Sequence, residues 1–273
     1  MDISIIIVNY RTRGLVKQCL KSIRRAAPLL DYEVLVVDNA SGDGLPTLIR
    51  ESFPEARLFA LPKNVGFAAG NNIAMRKAKG RYVFVLNPDT MLEIGSLEAM
   101  AAYMDAHPDV GVLAPKLTHP DGTRQESVHR FPTPWIPIYR RTPLGRLASA
   151  RTELDRYAMR GEIGGETREV DWVEGAAMFV RRKAIDSVGM FDERFFVYFE
   201  DADWCRRFWS NGWKVVYYPG ASILHYHRRE SADTGWILAP FTNKVSRIHI
   251  QSAIAYFRKW RGQALPRKEK AAS

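Results

Sequence analysis

Side chains able to do chemistry fall at five places in this chain. Asn9 and Tyr10 close the apolar run Ser4–Tyr10, Asp38 and Asn39 follow Glu33–Val37, and Asn87 and Asp89 follow Tyr82–Leu86. An aspartate at one such position can accept a hydrogen bond from the imide N–H of a base. An aspartate at another can hold a divalent cation beside a diphosphate. Taken singly, each is also an ordinary loop-forming residue at a strand end. The fourth place is Phe195–Arg207 (FFVYFEDADWCRR). Asp201, Trp204, Cys205 and Phe208 are spaced i, i+3, i+4 and i+7, one face of a helix, with Asp203 off that stripe. A carboxylate set among aromatics is a reasonable general base. An acid at a helix N-terminus can equally serve as a cap and complement the dipole. His225 and His227 end an apolar strand soon afterwards. Neutral imidazole binds metals, and lone histidines at strand ends also serve as plain surface or core residues.

These residues need elements to position them. Ser4–Tyr10, Glu33–Val37 and Tyr82–Leu86 are continuous apolar runs, typical of strands buried on both faces. Helical stripes are expected over Leu15–Ala26, Leu45–Ser52 and Asn71–Ala78, with a further strand near Arg57–Leu61. Strand alternating with helix implies parallel pairing, and open parallel sheets bind ligands at the carboxyl ends of their strands. The regularity fails over residues 119–170, which are rich in Pro, Arg and Gly; such irregular pieces are functional or mobile. Order resumes at Asp171–Val180, and a strand near Lys214–Tyr218 leads to Ile223, Leu224 and His225. Neither a Walker sequence nor a Gly-x-Gly-x-x-Gly follows the first strand, which disfavours a P-loop kinase and a hydride-transfer enzyme. Near the end, Ile250, Ala253, Ile254 and Phe257 form an apolar stripe that Trp260 extends. One mixed α/β unit over 1–243 followed by a basic amphipathic helix and tail over 244–273 is the expected organisation.

Composition narrows the function classes. With 273 residues, 46% apolar and 26% charged, the chain is a globular one with ample core. No run of about 18 apolar residues exists to span a bilayer. The first apolar run follows an acid and lacks a basic flank, so it does not read as a signal peptide. Two cysteines, Cys19 and Cys205, make neither a disulfide framework nor a zinc cluster, and a reducing cytosolic compartment is expected. The net charge is +10, of which residues 244–273 supply +7, from eight Lys/Arg and one acid. The body is then nearly balanced, unlike a nucleic-acid binder with a basic folded face. A basic tail suits contact with an anionic membrane surface.

An ordered series of motifs runs through nearly the whole chain: SIIIVNY (4–10), VVDNASGD (36–43), KNVGFAAGNN (63–72), VFVLNPDT (83–90), DWVEGAAMFVRR (171–182), VGMFDERFFVYFEDADWCRR (188–207) and the histidine at 225. In these the chain resembles the inverting glycosyltransferases of family 2, and most of all their bacterial rhamnosyltransferase branch. The resemblance implies a GT-A type Rossmann-like fold, a mixed, mostly parallel sheet flanked by helices. It implies that Asp38 reads a pyrimidine base with Asn9 and Asn39 lining the same pocket, and that Asn64, Gly66 and Asn71 form the loop beside the nucleotide. Asn87-Pro88-Asp89 takes the Asp-x-Asp position, Asp89 then being the ligand of Mg²⁺ or Mn²⁺ with His225, or its neighbour His227, completing the site. Glu200-Asp201 matches the acidic pair that supplies the base, which turns the capping ambiguity towards catalysis. Trp172 and Gly175 are expected to border the sugar or acceptor, and residues 119–170 to shape the acceptor side. The implied reaction is metal-assisted transfer of a hexose, rhamnose in that branch, from a dTDP- or UDP-sugar to a saccharide or polyprenyl-linked acceptor. The implied setting is the inner face of the cytoplasmic membrane, in cell-surface polysaccharide synthesis. The competing reading is a sugar-nucleotide-binding or membrane-associated scaffold without catalysis, and such a protein is expected to lose the acidic pair or Asp89.

Overall fold

The computed structural model describes residues 1–26, 29–226 and 244–266. His227, Arg267, Lys268 and Lys270 lie outside the described residues. The first half alternates as its sequence pattern demands: β1 (Ile3–Asn9), α1 (Arg13–Ala26), β2 (Tyr32–Asp38), α2 (Leu45–Ser52), β3 (Arg57–Ala60), α3 (Phe67–Met75) and β4 (Tyr82–Leu86). There follow β5 (Thr90–Leu92), α4 (Ser96–Ala106) and β6 (Val110–Thr118). Helix α3 begins four residues before the expected Asn71, because the Phe67 N–H is taken by the Phe196 carbonyl at 2.7 Å and Gly66 opens the turn.

Residues 119–170 are built of short pieces: β7 (Val128–His129), α5 (Ile136–Tyr139), a 3₁₀ turn (Pro143–Arg146), α6 (Ala148–Tyr157) and β8 (Arg168–Glu169). The ten-residue α6 was not legible in the sequence, since only Ala150 and Tyr157 of it are buried and no apolar stripe marks it. The chain continues through β9 (Trp172–Val173), β10 (Ala177–Arg181), α7 (Arg182–Val188), α8 (Glu200–Ser210), β11 (Lys214–His225) and α9 (Lys244–Lys259).

Among the described residues, nine strands join one sheet in the order β3-β2-β1-β4-β10-β6-β11-β5, with β8 on β11; β7 and β9 form a separate pair. Strands β1 to β4 are mutually parallel, β10 runs against both β4 and β6, and β11 is parallel to β6. Six strands therefore point one way, as expected for a mostly parallel α/β sheet, and β5, β8 and β10 reverse. Both faces are covered, which is why the strands read as continuous apolar runs. Ile3, Ile5 and Ile7 enter one core with Val16, Leu20 and Phe53; Ile6, Leu35 and Val37 enter the other with Trp204 and Phe208. No helix among the described residues is long and apolar enough to cross a membrane.

The C-terminal helix departs from its expected phase. Ser246, Ser252, Ala253 and Tyr256 are buried, while Ile250 and Ile254 of the expected apolar stripe are exposed. The reason is electrostatic. The fully buried Asp203 of α8 accepts from Lys259 Nζ at 2.8 Å and from Trp260 Nε1 at 2.9 Å, and pairs with Arg207 at 3.0 Å. A lysine that hydropathy places outside is thus drawn inward by a buried carboxylate, and this fixes the rotation of α9.

Candidate active site

The carboxyl ends of β1, β2 and β4 lie side by side, since Asn9 pairs with Asp38 in register and β4 flanks β1. Asn9 is fully buried, and its amide is spent on the loop: Nδ2 donates to Ser41 Oγ at 2.8 Å and to Asp38 Oδ1 at 3.3 Å, while Oδ1 accepts from the Thr12 N–H and hydroxyl. Asp38 also accepts from the Ser41 N–H at 3.2 Å. Asn39 ties this end to the next loop, Nδ2 donating to the Gly66 carbonyl at 3.0 Å and Oδ1 accepting from Val65 N–H at 2.8 Å. Asn64 closes a turn on the Gly66 N–H at 2.9 Å. Gly66 has φ +89°, and a Cβ there would run into the carbonyl and ring of Phe196. Asn71 is buried, its Nδ2 on the Phe67 carbonyl and its Oδ1 without a protein partner. Asn9 and Asn39, expected to line the base pocket, and Asn71, expected in the loop beside the nucleotide, are buried and hydrogen-bonded to the loops around them.

Asn87 and Asp89 follow β4, and the Asn87 N–H donates to the Ala176 carbonyl at 2.9 Å. Strand β5 returns antiparallel to β11, setting Thr90 opposite His225. Asp89 Oδ1 then lies 3.3 Å from His225 Nε2. Gln125 assigns the ring. Its amide nitrogen faces the carbonyls of His225 at 2.7 Å and Thr118 at 3.4 Å, which only accept. Its Oε1 therefore faces His225 Nδ1 at 2.8 Å and accepts from it. With the proton on Nδ1, the lone pair of Nε2 is directed to the side where the Asp89 carboxylate sits. Two electron-pair donors at that distance suit a cation held by both.

The acidic pair opens α8. Tyr198 and Phe199, just before it, have φ of +72° and +68°, a conformation costly for side-chain-bearing residues. Asp201 is half-buried; Oδ2 accepts from the Gly175 N–H at 3.0 Å and Oδ1 from the Ala202 N–H at 2.8 Å. Burial pushes its carboxyl up to about 6, against those two N–H groups, with the charge of Glu174 adding to the rise. A Cβ on Gly175 would press on Phe67 at 3.3 Å, so glycine lets this backbone approach the acid. Glu200 is buried with Oε2 unpartnered, and burial, then the Asp201 charge, raise its carboxyl well above the usual range. Trp172, expected at the sugar or acceptor, is instead in the core: its Nε1 donates to the Arg130 carbonyl at 2.8 Å and its ring lies against His129.

The structure thus brings Asp38, Asn9, Asn39 and the loop at 64–66 together, joins Asp89 to His225, and sets Gly175 on Asp201. Sequence reasoning missed Ser41, Gln125, His129 and Glu174, the last two in contact at 3.1 Å. Gln125 sits in the irregular segment 119–170 and no motif marks it; Ser41 lies inside VVDNASGD, where a hydroxyl within reach of Asn9 was the available signal.

Comparison with known proteins gives a consistent picture. The sequence model described as "Glycosyl transferase family 2" matches residues 4–161. An N-acetylglucosaminyl-diphospho-decaprenol L-rhamnosyltransferase of Mycobacterium tuberculosis is 33% identical over 204 residues, 71% of this chain and 66% of that protein. The chain thus covers slightly less than two thirds of that relative's length. Rhamnosyltransferase WbbL of Escherichia coli K12 is 25% identical over 263 residues, 92% of this chain and 91% of that one. Among solved structures, GalNAc-T7 with UDP, GalNAc and Mn²⁺ superposes with a TM-score of 0.66 at 16% identity, covering 96% of this chain and 48% of that one. A mannosyltransferase of Pyrobaculum calidifontis with GDP-Man and Mn²⁺ does so at 0.60 and 19%, covering 94% and 64%. At these identities the structural likeness concerns the fold.

Proposed function

Since the chain belongs to glycosyltransferase family 2, we propose that it is an inverting hexosyltransferase that moves rhamnose from a dTDP- or UDP-sugar to a saccharide on a polyprenyl diphosphate. The names of its rhamnosyltransferase relatives support the sugar and, for the mycobacterial one, the lipid-linked acceptor. Such an acceptor sets the work at the cytoplasmic face of a membrane, in building a cell-surface polysaccharide.

The observation that carries this reading is Asp201, a raised carboxyl held by two backbone N–H groups on the sheet edge that also bears Asp38 and Asp89. Asp38, braced by Asn9 and Ser41, would accept from the imide of the donor's base. Asp89 and His225, oriented by Gln125, would hold Mg²⁺ or Mn²⁺. Two protein ligands with substrate phosphate oxygens and water suit such an ion. A divalent cation in that place would neutralise the charge that develops on the departing diphosphate. Asp201 takes the proton of the acceptor hydroxyl as its oxygen bonds to the anomeric carbon from the face opposite the diphosphate. The anomeric C–O bond breaks with its electron pair on the diphosphate, and the configuration inverts in this single displacement.

A donor panel assayed with Mg²⁺ or Mn²⁺ for release of nucleoside diphosphate, with and without a polyprenyl-linked N-acetylglucosamine acceptor, tests the reading. Acceptor-stimulated release from one donor, lost in Asp201→Asn, is the expected result. Absence of release from every donor in the wild-type protein favours the scaffold instead.

A further inference from the structure

The segment between β7 and β8 carries a surface to which the proposed transfer assigns no residue. Residues 134–152 hold four arginines, at 140, 141, 146 and 151, and no acid. They also expose Trp135 (57%), Ile138 (38%), Leu144 (50%) and Leu147 (56%), large apolar side chains left in water. Each pair is spaced i, i+3. Trp135 and Ile138 neighbour one another on the single turn of α5, and in a 3₁₀ frame Leu144 and Leu147 nearly eclipse.

This segment is a built platform. Gly145 lies so close to the Tyr139 carbonyl that a Cβ there would run into it, so the 3₁₀ turn is clamped against α5. Ile136, Ala150 and Tyr157 are buried beneath, Leu154 packs on the core, and Thr133 hydrogen-bonds Glu153 across the base. The platform also borders the candidate active site. Burial, then the charges of Arg141 and Arg140, lower His249 to about 3, and His249 packs on the rings of Tyr198 and Phe199, immediately before Glu200.

We propose that α5, the 3₁₀ turn and the start of α6 form a docking surface for an anionic lipid bilayer. Trp135, Ile138, Leu144 and Leu147 enter the interface, while Arg140, Arg146 and Arg151 meet lipid phosphates. Exposed apolar groups interleaved with cations and without acids match a layer of acyl chains capped by negative headgroups. A nucleic acid would leave the four apolar groups unused. Helix α9 is less suited, because its Lys259 and Trp260 are committed inward to Asp203 and only Ile250 and Ile254 of its apolar residues are turned out. The use of this surface, bringing the enzyme to its acceptor, rests on the lipid-linked reading above; the binding itself does not.

Co-sedimentation of the full-length protein with phosphatidylcholine vesicles, with and without 30% phosphatidylglycerol, tests the proposal. Binding is expected only to the anionic vesicles and is expected to fall severalfold on raising salt from 0.1 to 0.5 M. Trp135→Ser, Ile138→Ser, Leu144→Ser and Leu147→Ser combined should lower it at least tenfold, with melting temperature and donor hydrolysis retained. Ile250→Ser with Ile254→Ser should bind as wild type. The proposal is overturned if the wild type stays in the supernatant at low salt, or if the quadruple variant binds undiminished. It is equally overturned if the quadruple change only turns a dimer into a monomer, which would make a second copy the occupant. Vesicle binding without transfer to any acceptor would instead count against the function proposed above.

Discussion

At the scale of single residues the site turns on two adjacent carboxyls that burial treats differently. Burial raises both, Asp201 to about 6 and Glu200 well above the usual carboxylate range, where the neighbouring Asp201 charge adds to the rise. If Asp201 is the base, kcat/KM should climb to a plateau with an acid limb near pH 6, and Asp201→Asn should lower kcat by about 10²–10⁴-fold. Donor affinity should stay within a few-fold, and a pH profile without that limb would remove Asp201 from the role. Glu200→Gln imitates the neutral acid and should keep much of the activity. Its stability effect has a definite sign. A carboxyl whose folded pKa is raised is tolerated by the fold while protonated and opposes folding as pH rises through that raised value. Glu200→Gln should therefore gain melting temperature over wild type at pH 9 and not at pH 4, and the reverse order would contradict a raised Glu200 carboxyl. Gln125 acts through another residue. Gln125→Leu removes the acceptor that keeps the proton on His225 Nδ1, and loss of such a partner typically weakens metal affinity by about 10–100-fold. The metal concentration for half-maximal activity should rise accordingly, with kcat at saturating metal largely preserved. Only part of this was legible in the chain alone. Asp38, Asp89 and Asp201 stand out by type at strand and helix ends, but Gln125 becomes relevant only when β6 and β11 run side by side.

At the scale of elements, the helix that opens with the acidic pair is held from behind. Helix α9 packs on the segment that leads into α8: Tyr256 and Phe257 meet Phe199, Ser252 donates to the Val197 carbonyl at 2.9 Å, and Lys259 and Trp260 reach Asp203. From the front, the loop at Gly66 presses on Phe196. The strained backbone at Tyr198 and Phe199 is thus fixed between a donor-side loop and the C-terminal helix. Lys259→Met leaves Asp203 with Arg207 and Trp260 but removes its closest cation. Losing a buried ion-pair partner outright costs about 3–5 kcal/mol, so with the remaining partners a loss of roughly 2 kcal/mol is expected, some 4–8 °C in Tm for a domain of this size. An unchanged Tm would show the pair to be dispensable. The inward turn of Lys259 was not legible in the sequence for a physical reason. Hydropathy assigns Lys259 to the solvent, and no periodicity reveals that a carboxylate fifty-six positions earlier is buried where the lysine can reach it. Strands β1, β2 and β4 were readable because both faces of each are apolar; the reversal of β10 was not, since an apolar run is the same in either direction.

For the molecule as a whole, the sheet separates two cores, and the candidate site lies along the carboxyl ends of its parallel strands. Strands β1, β2 and β4 bring Asn9, Asp38 and Asn87 there, and β11, reached across β10 and β6, brings His225. A nucleoside diphosphate lying from Asp38 to Asp89 would therefore bridge strands from both halves of the sheet, with an ion at Asp89 and His225 as the second anchor. Binding to the folded state alone stabilises by about 2.7 kcal/mol at a ligand concentration one hundred times Kd, roughly 5–11 °C for a chain of this length. The melting temperature should rise by that order with UDP or dTDP in the presence of Mn²⁺, and by far less with the nucleotide in EDTA. Asp89→Ala should lose the metal-dependent part, whereas Asp201→Asn should keep it, because the proposed role of Asp201 is towards the acceptor hydroxyl and not the diphosphate. A full shift in EDTA, or in Asp89→Ala, would detach the metal from nucleotide binding and leave the Asp89–His225 pair as a structural contact between β5 and β11.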